Sequence, residues 1–372
     1  MTGAAAGVLA LLSWTLAAAH RGAGPESLVA IHPTPVLLVE GVDADARRAA
    51  IIRRARILLP DDVEPLDVEP APPDGTLECR YLAKEADGTS AKFDCLLADG
   101  HTIKVKYGRN PEIHAETLGT TLLTALGYAA DRVAIVPRVR CYGCPRFPFA
   151  TMQLLQFVGA RDVLAPHGFE RGYTDFAWSA VEHRFPAPAI ETPTHTGWAW
   201  FELEDSDASP ADVGALRLLA VFLAHWDNKA DNQRLVCLDA VAPAERVIDC
   251  ARPLLMIQDL GSTFGPSKLN LATWKTEPVW KDRASCLVTM RHLPYQGGTF
   301  GDAQIPEAGR AQLAASLASI SEPEIRQMLR TSRVPEFQSS TDDGRDVETW
   351  VRAFRSRVQQ ITDGGPCPEE GA

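Results

Sequence analysis

Residues 211–225, ADVGALRLLAVFLAH, carry apolar side chains almost all round a helix past Leu216. A helix without a polar face has to be enclosed, so this segment is expected to be buried. Ser209-Pro210 ahead of it supplies a start signal. The chain then turns abruptly polar: HWDNKADNQ, residues 225–233. A second apolar run, PLLMIQ, leads in the same way into IQDLGSTFG, residues 257–265. Either motif alone reads as a turn, because Asp and Asn side chains bond local backbone. Two such motifs at the ends of buried segments call for a shared explanation.

At 372 residues the chain can bury one large core or two smaller ones. Its 48 acidic and 37 basic side chains give a formal charge of −11. That balance disfavours a general nucleic-acid binder, whose phosphate contacts need a basic face. The apolar segment GVLALLSWTLAAAH, residues 7–20, ends in small residues and resembles a signal peptide over 1–19, although no Lys or Arg precedes it. No other stretch is apolar for long enough to span a bilayer. Export to a periplasmic or extracellular space is therefore expected, and a cytoplasmic location if this N-terminus is no signal. Eight cysteines suit the oxidising alternative.

Past the leader, residues 43–59 have helical periodicity, and 60–75 carry six acids, five prolines and no base. That composition favours an extended linker, so residues 20–75 read as an extension and the domain start falls near Thr76. From Leu77 to Tyr107 the pattern is β, with turns at Asp87-Gly88 and Asp99-Gly100. Lys104 and Lys106 share one face of the third strand; Ile103, Val105 and Tyr107 share the other. Asn110-Pro111 opens a helix that stops at Gly127 and sets Glu112 and Glu116 one turn apart. RVAIVPRVRCYGC and FATMQLLQFV read as further strands, and 158–208 as mixed loops and short helices. RLVCL and PLLMIQ read as two short strands, with helices after them around RAQLAASLASI and DVETWVRAFRSRVQQI.

If the first turn centres on Asp87, Cys79 and Cys95 lie directly opposite each other, which permits a disulfide. Cys237 and Cys250 likewise fall on adjacent strands of a hairpin. Cys141-x-x-Cys144 lacks a second pair at zinc-ribbon spacing, so a disulfide or two thiols is expected there rather than zinc.

Hairpin, lysine strand, glutamate helix, buried helix, Asp/Asn loop, two strands and Asp-Leu-Gly come in an order that resembles the protein-kinase-like superfamily over roughly residues 76–360. His225, Asp227 and Asn232 fall in register with the H-R-D-L-x-x-x-N loop, with Trp226 for its Arg. Lys229 matches a lysine common in that loop, and Asp259-Leu260-Gly261 resembles D-F-G. The helix ending in LGY is more similar to the HipA and lipid-kinase side. No G-x-G-x-x-G loop is present and no A-P-E comes after Asp259, so nucleotide cover falls to residues 86–92. The resemblance implies an α+β, two-lobed fold. Residues 76–157 would be a small β-rich N-lobe with one helix, 158–363 a larger, mainly helical C-lobe, and 364–372 a tail.

It also implies ATP and magnesium as cofactors, and a hydroxyl-bearing substrate of unknown identity. Asp227 would orient the attacking hydroxyl, and Lys229 would steady the transferring group. Asn232 and Asp259 would ligate magnesium, whose preferred ligands are hard oxygens. Lys106, with Lys104 the alternative, would hold phosphates and be oriented by Glu116. His225 is expected to be structural, bonding the backbone. The competing expectation, from another class, is an exported, catalytically inert kinase-like fold that binds a ligand or a protein.

Overall fold

The chain is described by a computed structural model over residues 36–64, 75–160, 172–240, 250–294, 297–337 and 342–368. In chain order its main strands are β1 (Val36–Leu38), β2 (Thr76–Leu82), β3 (Lys92–Leu96), β4 (Thr102–Lys106), β5 (Arg132–Tyr142), β6 (Tyr173–His183), β7 (Ala189–Glu191), β8 (Gln233–Cys237) and β9 (Pro253–Ile257). The longer helices are α1 (Ala44–Arg53), α2 (Pro111–Ala125), α3 (Pro148–Phe157), α4 (Pro210–Leu223), α5 (Glu307–Ser319), α6 (Glu322–Thr331) and α7 (Val347–Thr362). The class is mixed α+β, as expected.

Strands β2-β3-β4-β6-β5 close into a barrel, antiparallel throughout except where β5 meets β2. Period-two alternation decides what enters it: Ile103 and Val105 of β4 join Phe93, Val139, Phe176 and Val181 inside. Lys104 and Lys106 consequently leave the barrel on its other face. Helix α2 packs against β5 and β6. Its start is set by Asn110, whose side chain accepts from the Glu112 amide at 3.0 Å, and Pro111 occupies the first turn. It ends at Leu126, and Gly127 turns the chain away with φ +82°.

The second part is built around α4, whose Leu218, Leu219, Ala220, Phe222 and Leu223 are inaccessible. Each buried Leu or Phe contributes roughly 1.5–3 kcal/mol. Helices α4 and α5 touch backbone to backbone, since a Cβ on Gly309 would lie 2.7 Å from the Gly214 Cα. The carbonyls of Val221 and Phe222 at the end of α4 are satisfied by the buried Arg357 guanidinium of α7, at 3.1 Å each. Beside this core runs a four-stranded sheet, β1-β7-β8-β9.

Several local expectations are corrected. FATMQLLQFV is helix α3, not a strand: Pro148 occupies its first turn, and Met, Gln and Leu are strong helix formers. Residues 158–208 are not merely irregular, because β6 is a barrel strand paired with both β4 and β5. A boundary at 157/158 would cut the barrel open. The alternation of YTDFAWSAVEH is broken at Trp178, which stands at φ +47° opposite Pro137, and that break obscured the strand.

Nor does the compact fold begin near Thr76. Ile51 and Ile52 of α1 are buried in the main core, β1 pairs with β7, and Arg48 bonds Glu202 at 2.8 Å. The tail is also anchored, through Cys367 to Cys286. Cys79 does bridge to Cys95, but the register sets Tyr81 opposite Cys95, two residues from the expected pairing. A two-residue slip keeps every side chain on its face, so the bridge forms diagonally. The leader and most of the Pro-rich segment lie outside the described residues.

Candidate functional site

Between barrel and helical part lies an open cleft of about 710 Å³, within the range of small-molecule sites. Its wall contains Lys104, Lys106, Asp227, Lys229, Asn232 and Asp259. The barrel side adds residues 84–90 of the β2–β3 connection, together with Lys92, Asp94 and Arg184.

Outward alternation on β4 aims both lysines away from the barrel core, but they meet different acids. Lys106 reaches Glu116 of α2 at 2.6 Å, with both side chains at most 5% exposed. Lys104 reaches Glu182 at 2.9 and 3.1 Å, its direct cross-strand partner on β6. Burial by itself opposes the Lys106 charge, yet Glu116, Asp259 and Glu182 raise its pKa above the usual lysine range. Burial likewise opposes ionisation of Glu182, but Lys104, Lys106 and Arg184 bring it down to about 2. Glu116 is pushed up, first by burial and further by Glu182 and Asp259, against the pull of Lys106. The two ends of that pair thus point opposite ways. The lysine charge is the firmer, because three carboxylates hold it while Glu116 is paired with one ammonium.

Asn232 and Asp259 are brought together by the β8–β9 hairpin, whose register sets Gln233 opposite Ile257. The amides of Gln258 and Asp259 both donate to the Asn232 carbonyl, at 3.0 and 3.3 Å. The Asn232 side-chain amide donates to the Asp227 carbonyl at 2.6 Å, leaving Oδ1 as the acceptor end. Asp259 Oδ1 accepts from the Gly261 amide at 3.0 Å. Although burial opposes its charge, Lys106, that amide and Lys104 hold its pKa below the ordinary aspartate range. Asp227 goes the other way: burial raises it, Lys229 at 3.9 Å pulls it down, and Asp259 adds to the rise. An ionised oxygen ligand beside a more basic carboxylate is a divided donor set, suited to metal binding at one end and proton acceptance at the other. The hard oxygens of Asn232 and Asp259 are the donor types that fit magnesium.

Three features escaped sequence reasoning. Asn228 is the loop's internal brace: Oδ1 accepts from the Thr299 and Phe300 amides at 2.9 Å each, and Nδ2 donates to the His225 carbonyl at 3.0 Å. An Asn in a dense polar loop carries no sequence mark of being inaccessible. Glu182 and Arg184 were hidden by the unrecognised strand β6, whose alternation around Ala180 and Glu182 was the available signal. Lys268 pairs with Glu112 and lies 5.8 Å from the Trp226 ring centre, at the other end of the cleft; nothing in its local sequence announces this. His225 is inaccessible, as a structural residue should be, but its ring makes no hydrogen bond among the described residues. Its backbone amide bonds Ala220, and burial brings the imidazole pKa down to about 4.

No family model matches the chain, and no curated protein matches it. Among solved structures it is similar to the crystal structure of a Helicobacter pylori proinflammatory kinase, CtkA, at 8% sequence identity. The alignment spans 77% of this chain and 95% of that one, with a TM-score of 0.39. Likeness of this size leaves function to the residues of the cleft. Among the described residues, no helix is long and apolar enough to cross a membrane.

Proposed function

We propose that the chain is an ATP- and magnesium-dependent phosphotransferase of atypical kinase-like type. It would move a γ-phosphoryl group to a hydroxyl of a protein, lipid or small molecule. The observation that carries this reading is the buried Lys106–Glu116 pair facing the same cleft as Asp227, Asn232 and Asp259. The barrel with α2 corresponds to the small lobe and the α4-centred part to the large one, joined past β6.

Phosphoryl transfer is chiefly positioning and charge neutralisation, and each group has a place in it. Lys106, kept charged and oriented by Glu116, binds the nucleotide phosphates; Lys104, tied to Glu182, stands behind it. Asn232 and Asp259 hold magnesium, which supplies neutralisation of the phosphate charge. Asp227, with its pKa raised, accepts the proton of the attacking hydroxyl, and Lys229 beside it offers a compact positive charge to the transferring group. Residues 86–92 cover the nucleotide. The four disulfides support export to an oxidising space.

Melting curves with millimolar ATP and magnesium, together with an ATP-turnover assay, test the reading. A nucleotide at about 100 times its dissociation constant adds about 2.7 kcal/mol to stability. Asp259→Asn should lose the magnesium-dependent shift. Asp227→Asn should keep the shift and lose turnover by orders of magnitude. A wild type that shows neither shift nor turnover would establish the inert-fold alternative instead.

A further inference from the structure

One end of the barrel core is made of sulfur. Cys79 on β2, Cys95 on β3, Cys141 on β5 and the nearby Cys144 are all at most 4% exposed. They are bonded as Cys79–Cys95 and Cys141–Cys144. The two bridges are in contact: Cys95 and Cys141, which belong to different bridges, have sulfurs 3.6 Å apart, and the sulfurs of Cys79, Cys95 and Cys141 all lie within 4.8 Å of one another. The topology causes this. Cys79 and Cys141 are register partners on parallel strands, Cys95 sits diagonally across on β3, and Gly143, at φ +74°, closes the turn that returns Cys144 to Cys141. The second cysteine pair that zinc-ribbon spacing lacks along the chain is supplied in space by β2 and β3.

Zinc bound by four thiolates at about 2.3 Å in a tetrahedron sets their sulfurs about 3.8 Å apart. We infer that the four cysteines, when reduced, form a tetrathiolate site for one zinc ion, and that the two disulfides are the oxidised form of the same site. The inference is independent of the phosphotransfer reading. A phosphine reduces each bridge with one water, giving two thiols and a phosphine oxide. The four thiols then release four protons as the metal takes their place. The other bridges are poorer candidates. Cys237 and Cys250 have one further donor, Asp239, and Cys286 lies 2.9 Å from the Arg283 guanidinium, whose charge repels a cation.

The test uses the full chain, reduced with phosphine, desalted without oxygen and titrated with cobalt and then zinc. One cobalt per chain is expected, with sulfur-to-metal charge-transfer bands and tetrahedral visible bands that vanish on adding one equivalent of zinc. Zinc should shield Cys79, Cys95, Cys141 and Cys144 from alkylation while the other four cysteines react. Cys79→Ser with Cys144→Ser should abolish the cobalt bands, and Cys237→Ser with Cys250→Ser should keep them. If the first variant does not fold, the wild-type alkylation map decides. A reduced wild type that binds no cobalt, gives an octahedral spectrum, or labels all eight cysteines alike in zinc overturns the inference.

Discussion

His225 and Asn228 hold the polar loop from inside, and they do so by different physics. Asn228 satisfies two backbone amides and two carbonyls that burial would otherwise strand, and each stranded group costs about 1–3 kcal/mol. Asn228→Ala should therefore lower unfolding free energy by roughly 2–4 kcal/mol in denaturant titration, and should lower turnover with it. His225 acts through exclusion of charge. Its imidazole pKa falls from 6.5 to about 4 on folding because the ring is buried, so the unfolded chain binds a proton more readily than the folded one. Its contribution is complete above pH 6.5 and is lost as pH falls from there towards 4, amounting to about 3 kcal/mol at most. Between those limits, wild-type stability should fall more steeply than that of His225→Leu, as measured by urea unfolding at a series of pH values. Parallel slopes would show that the ring is not buried neutral. The residue identities at 225, 227, 229 and 232 were legible in the chain; that Asn228 between them braces the loop was not, because the bracing depends on residues 299 and 300.

At the scale of elements, the contact that matters most for the site is α2 against the Asp-Leu-Gly turn. A Cβ on Gly119 would lie 3.0 Å from the Leu260 Cβ and 3.1 Å from its Cδ1, so the helix sits as close to the turn as a missing side chain allows. That closeness holds Glu116, one turn earlier, over Lys106. Gly119→Ala should be nearly neutral in thermal melts, since a helix-propensity gain of about 1 kcal/mol offsets mild crowding. Gly119→Val has no such compensation. It should destabilise by about 1–3 kcal/mol and weaken the nucleotide-induced melting shift, because it levers α2 and Glu116 away from β4. Equal nucleotide shifts in both variants would show that α2 tolerates displacement. Periodicity and caps located α2, α4 and the hairpin strands, since those signals are local. They failed for α3 and β6, where a short apolar run and a strand interrupted by the positive φ of Trp178 take their type from the barrel they join.

For the whole molecule, the bridges differ in how much chain they restrain. Cys286–Cys367 spans 81 residues and Cys237–Cys250 spans 13. Loop-closure entropy makes the long bridge worth about 4.5 kcal/mol and the short one about 3 kcal/mol. Cys286→Ser with Cys367→Ser should accordingly lower the unfolding free energy more than Cys237→Ser with Cys250→Ser, as read from denaturant midpoints of the oxidised proteins. The reverse order would mean that the tail is bound by packing, with Cys367 incidental. By itself the sequence determined the buried helix α4, the strand carrying Lys104 and Lys106, and two of the four disulfides. All of these derive from neighbours along the chain: alternation, helical period, caps and short turns. Only the tertiary structure decided that Lys106 rather than Lys104 meets Glu116, that residues 36–59 belong to the core, and that the sulfurs of Cys79, Cys95 and Cys141 converge from three strands. Those outcomes depend on register and barrel closure, where a shift of one residue redirects every side chain and no local signal records the choice.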